Sequence, residues 1–170
     1  PPRSTLFPYT TLFRSKNKEF EKKYYAVVIG EPKEKSILGL TNYLAKNPTK
    51  NIVSVVPMSS EGAKIAVLDY STLETKNNLS LLAIKLHTGR AHQIRVQMQT
   101  LGTPLFGDQK YGQGKSPVGY NLALWAVEIK FVHPISKETM VFRVYPPIED
   151  TPWNMFDITR FLSVTIKNNY

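Results

Sequence analysis

Between Leu82 and Gly112 the hydrophobic period of the chain changes from two to about 3.6 within a few residues. That switch admits little besides a strand, a tight turn, a helix and a loop. Leu82, Ile84 and Leu86 alternate as the buried side of a strand. Thr88-Gly89 makes the turn, with Thr88 as a candidate N-cap and Gly89 free to take a positive φ. Ile94, Met98 and Leu101 then recur at helical spacing, and Gly102 with Pro104 beyond it stops the helix, which is expected over 90–101. His92, Arg95 and Gln99 fall at i, i+3 and i+7, beside the apolar stripe. Arg90 falls in the expected first turn, where a cation opposes the helix dipole, so it is expected to face an anion or a carboxylate. A surface helix with solvated charges explains any one of these residues equally well, and the ordered set poorly.

The chain has 170 residues, enough for one domain or part of one with a real core. Its formal net charge of +9 and sequence pI near 9.7 point to a polyanionic partner, RNA or DNA, against the alternative of a merely basic protein. It contains no cysteine, which excludes disulfides and thiolate metal sites. No apolar run approaches the roughly 20 residues that cross a bilayer, and the amino terminus lacks the apolar core of a signal peptide. A cytoplasmic location, no membrane and no metal are the expectations.

Residues 1–15 read differently from the rest. They hold a near-duplicate, Thr5-Leu6-Phe7 and Thr11-Leu12-Phe13, among three prolines, and resemble translated sequencing-adaptor read-through. The expectation is an artefactual or disordered segment, followed by a domain over 16–150 and a tail over 151–170. Setting Arg3 and Arg14 aside leaves a surplus of +7. Phe20 to Gly30 reads as a strand, with Lys22, Tyr24, Ala26 and Val28 on one face and Lys23, Tyr25, Val27 and Ile29 on the other. A short helix around Leu40, Tyr43 and Leu44 is expected within 33–60, followed by a loop; Lys46, Lys50 and the preceding Lys33 and Lys35 are solvated or touch phosphates. Strands are expected over 64–73 and 79–86 as a hairpin, in the second half of 122–132, and over 139–145. His133, before Pro134, reads as a turn residue. Ile158, Phe161 and Leu162 suit a packed terminal helix.

Three segments carry a resemblance: Lys22-x-Tyr24-x-Ala26, then G-R-A-H-Q-I-R from Gly89 to Arg95, then G-T-P-L-F-G-D-x-x-Y-G from Gly102 to Gly112. In that order they closely resemble the RluA-type pseudouridine synthases. The segment 124–134, LWAVEIKFVHP, is similar to a further stretch of that family, with Trp125 where histidine is commoner. The resemblance implies an α+β fold, a mostly antiparallel mixed sheet with few helices, incomplete at the amino terminus. It implies isomerisation of a uridine in ribosomal or transfer RNA to pseudouridine without a cofactor, by a monomer. The family's catalytic aspartate lies in an H-R-L-D-x-x-T-S-G segment that does not occur in these 170 residues. Asp69, in AVLDYS downstream of Tyr24, does not substitute for it. Arg95 is implied to pair with that aspartate, and Tyr24 to stack on the flipped uracil and assist late proton removal at carbon 5. Lys22, Arg90, His92, Gln93, Lys110 and Tyr111 are implied to shape the pocket or contact RNA, and Asp108 to brace its loop. The alternative is a noncatalytic RNA-binding module of the same fold.

Overall fold

The computed structural model describes residues 20–167, so the expectation for residues 1–15 lies outside it. Seven strands form one sheet: β1 (Phe20–Ile29), β2 (Ser36–Asn47), β3 (Ile52–Val55), β4 (Lys64–Lys76), β5 (Leu79–Leu86), β6 (Leu124–Val132) and β7 (Thr139–Arg143). Their order across the sheet is β3-β2-β4-β5-β1-β6-β7. Every pairing among these strands is antiparallel, more uniformly than the expected mixed sheet. Three of the six pairings, β2–β3, β4–β5 and β6–β7, are hairpins between successive strands, whose short turns require antiparallel neighbours. The β4–β5 turn, for example, places Asn77 and Asn78 both at positive φ, the geometry that suits the twist of a two-residue hairpin.

Alternation along β1 sorts its residues as expected. Ala26 and Val28 join Leu82, Ile84, Leu68 and Tyr70 on one face, and Tyr24 packs against them. Tyr25 and Val27 join Leu81 and Val127 on the other. The first face is covered by helix α1 (Gln93–Thr100) through Ile94 and Met98. The second is covered by Trp153, Phe156 and helix α2 (Ile158–Lys167), where Ile158 and Leu162 are buried as the tail's apolar spacing suggests. Burial of each such side chain contributes about 1.5–3 kcal/mol.

The helix expected around Leu40, Tyr43 and Leu44 is instead strand β2. Leu40, Asn42 and Leu44 lie on one side at period two, and Tyr43 lies opposite. A bulge between Ile37 and Leu40 holds Gly39 at φ 69°, and its N–H donates to the Asp69 carboxylate at 2.8 Å. Apolar residues at i, i+3 and i+4 fit a helix as well as a half-buried strand, and the tertiary pairing decided.

Helix α1 starts at Gln93 rather than Arg90, with His92 as its N-cap at φ 53° and no side-chain cap. Its end is as expected. Gly102, at φ 84°, donates its N–H to Gln99, and Thr103 donates to Met98. This pair of bonds closes the helix as a Schellman motif and needs a residue without a side chain at Gly102.

Candidate active site

The turn before α1 is built around the buried side chain of Gln93, 3% exposed. Its Oε1 accepts hydrogen bonds from the Thr88 hydroxyl at 2.9 Å and the Arg90 N–H at 3.0 Å. Its Nε2 donates to the Val67 carbonyl at 3.1 Å. Thr88 in turn accepts from the Val67 N–H at 2.8 Å. Thr88 therefore ties the turn to β4 and does not cap the helix. Gln93 thus shapes the turn from inside the protein, with both ends of its amide engaged by protein groups. Arg90 lies before the helix, and its Nε donates to the Ile65 carbonyl at 2.8 Å.

One turn further on, Arg95 meets Asp108. Nε donates to Oδ2 at 2.8 Å and Nη2 to Oδ1 at 2.7 Å, a bidentate pair. The Asp108 side chain has no exposed surface, while that of Arg95 is 20% exposed. Oδ1 also accepts the backbone N–H groups of Lys110 and Tyr111, each at 2.9 Å, so Asp108 braces its own loop as expected. Burial alone would raise the Asp108 pKa, but the Arg95 bond and these N–H groups outweigh it and hold the carboxyl below its ordinary value. The Arg95 guanidinium lies 4.8 Å above the Tyr111 ring, an arrangement that favours a cation over an aromatic face.

Tyr111 is only 7% exposed and supports this cluster from within. Its Oη accepts the Val53 N–H at 3.0 Å and lies 2.6 Å from His92 Nδ1. Burial, then the charges of Arg95, Lys110 and Lys46, depress the His92 pKa. A neutral imidazole with the Tyr111 hydroxyl donating to Nδ1 satisfies the geometry and turns an Nε2–H donor outward. Lys110 is exposed, and its ammonium donates to the Asn51 carbonyl.

Tyr24 and Lys22 share a face of β1. Tyr24 is half-buried against the cluster that contains Ile94, the residue before Arg95. Burial raises its pKa, so the phenol keeps its proton at neutral pH. The Lys22 ammonium lies 5.0 Å from the Phe20 ring centroid. The structure thus gathers His92, Arg95, Lys110 and Tyr111 around Asp108, with Tyr24 on the adjoining sheet face. No group of His, Cys, Asp and Glu suited to a metal ion occurs among the described residues.

The family model for RNA pseudouridylate synthase matches residues 8–100, more than half of the chain. The chain belongs to the RNA pseudouridylate synthase family. An RNA pseudouridine synthase of Chlorobaculum parvum is 39% identical over 101 residues, which are 59% of this chain and 31% of that protein. The ribosomal large subunit pseudouridine synthase D of Zymomonas mobilis is 32% identical over 134 residues, 74% of this chain and 41% of that protein. The chain thus spans less than half the length of these relatives. Human RNA pseudouridylate synthase domain containing 1 has the same fold, with a TM-score of 0.71 at 20% identity, over 92% of this chain and 68% of that one. All three segments that carried the resemblance to pseudouridine synthases fall on the face of the sheet covered by α1 or on the loop beside it. Pairing of Arg95 with Asp108 was not foreseen. The only sequence signal for it is the D-x-x-Y-G loop itself, and the thirteen-residue separation gives no local reason to join the two.

Proposed function

We propose that this chain is the greater part of the catalytic domain of an RNA pseudouridine synthase, acting on a uridine of ribosomal or transfer RNA. The observation that carries this reading is the state of Arg95. It is fixed by a buried carboxylate on one edge and an aromatic ring beneath, at the position of the family's arginine. Both bonds to Asp108 use the Nε/Nη2 edge, which leaves the Nη1 edge for a second carboxylate. In this reading that carboxylate is the family's aspartate, supplied from outside these 170 residues. A guanidinium immobilised in advance would hold the aspartate ionised and aimed at the ribose. Tyr24 would stack on the flipped uracil. Because burial keeps it protonated, proton removal at carbon 5 would require it to pass its own proton onward, so stacking is its principal role.

The test is tritium release from RNA labelled at carbon 5 of uracil. The coding DNA upstream of Lys16 is expected to encode the H-R-L-D-x-x-T-S-G segment in frame. The protein that includes it should release tritium, and the 170-residue chain should not. Arg95→Gln in the longer protein should lower the rate by about 100- to 1,000-fold, the usual loss of a preorganised charge partner. Release by the short chain, or an Arg95→Gln rate within twofold of wild type, would sink the assignment.

The other reading is a noncatalytic RNA-binding module of the same fold. It is the better one if an unrelated segment precedes Lys16 and the longer protein binds RNA without turnover.

A further inference from the structure

Next to the Arg95 cluster lies a groove of about 390 Å³ between β2, β4 and the turn before α1. Lys46, Lys64 and Arg90 line it, together with Gly62, Gly89 and Ala91. None of its lining residues is acidic, and among the described residues none of the three cations has a carboxylate partner. Exposed lysines such as Lys46 in β2 and Lys64 in β4 are most often merely solvated, but Arg90 is not free to drift. Its backbone N–H is held by buried Gln93 and its Nε by the Ile65 carbonyl. That anchor uses Nε alone, so the N–H groups of its two terminal amino groups remain available to an acceptor. Gly89 and Ala91 on either side put almost no side chain in the way of an approaching polymer backbone. The positive field continues toward the candidate active site, since the charge of Lys46 is among those that depress the His92 pKa.

We propose that this groove binds a phosphodiester of the RNA strand next to the target uridine, with Arg90 as the fixed ligand and Lys46 and Lys64 as flexible ones. The inference rests on the synthase reading for the identity of the polyanion. A planar guanidinium held by its Nε suits two phosphate oxygens at once, and the ammonium groups add charge without demanding a register. The groove thereby sets where the strand enters, while sequence is read elsewhere.

The test is filter binding of the 170-residue chain to a uridine-containing RNA hairpin between 50 and 200 mM KCl. The double variant Lys46→Ala/Lys64→Ala touches no internal hydrogen bond and keeps the fold. It should lower affinity by about tenfold or more at the low-salt end and reduce the slope of log K against log salt by about one to two units. Arg90→Gln should add a further loss. Lys33→Ala/Lys35→Ala, on the β1–β2 connection, should leave both quantities unchanged. Groove variants that match this control overturn the site and leave the synthase reading standing. A wild-type chain that binds no RNA also overturns the site, and tritium release by the longer protein then decides the synthase reading separately.

Discussion

Asp108→Ala is expected to destabilise the domain by about 3 kcal/mol, the lower end of what removing one partner of a buried ion pair costs. The lower end applies because the Arg95 side chain keeps 20% of its surface, so water screens the charge left behind. Two backbone N–H groups, of Lys110 and Tyr111, lose their acceptor in the same step. The Tyr111 ring then loses its place under Arg95, and the Val53–Tyr111–His92 bonds go with it. A urea titration reads the effect as a lower midpoint at constant slope. The pH dependence has a definite sign. Asp108 titrates in the folded state below its ordinary value of 3.8. Its stabilisation is therefore full above about pH 4 and fades as pH falls through the lower folded value. The gap between wild type and Asp108→Ala should shrink on acidification through that window. A midpoint shift under about 1 kcal/mol at neutral pH, the range of an exposed pair, would show that the pair contributes no more than surface charges do.

Gly107→Ala should cost about as much, for a steric reason. Gly107 has φ 76°, and a Cβ there would lie 2.0 Å from the Asn121 carbonyl oxygen and 2.6 Å from its carbon. Those are backbone atoms, and the segment they belong to is tied down. Ala123 donates to the Phe106 carbonyl, Phe106 donates to Val27, and Val27 donates to Ala123. The segment can move only by breaking bonds to β1. A loss of about 3–4 kcal/mol is expected, combining the left-handed backbone penalty with a displaced loop. Gly114→Ala is the control, since Gly114 has φ 73° but nothing within 4 Å of its Cβ position. It should lose only about 1 kcal/mol. Equal losses for the two variants would mean that backbone conformation alone, and not the clash with Asn121, governs both.

Much of this arrangement is legible in the residues. The alternation of β1 placed Tyr24 and Tyr25 on opposite faces, the spacing of Ile94, Met98 and Leu101 showed the helix, and Gly102 with Pro104 showed its end. The G-R-x-H-Q-I-R and G-D-x-x-Y-G segments, singled out in the sequence, are brought together by the structure through Arg95 and Asp108. His133 acts in its turn, as read, by accepting the Ser136 N–H at 3.0 Å. One element was misread. Leu40, Tyr43 and Leu44 satisfied a helical template because the period of a short apolar run is ambiguous. That Gln93 and Tyr111 are buried was not legible, because polar side chains carry no mark of burial.

Period, turn chemistry and ordered motifs act over a few residues, and they sufficed for the family and for most local elements, β2 excepted. Which polar groups meet was decided only by the tertiary structure. Arg95 finds Asp108, Gln93 braces Arg90, and Lys46 and Lys64 come to border Arg90 because β2 and β4 lie beneath the turn before α1. Charge pairing depends on distances between distant segments, and those distances exist only after the sheet has assembled.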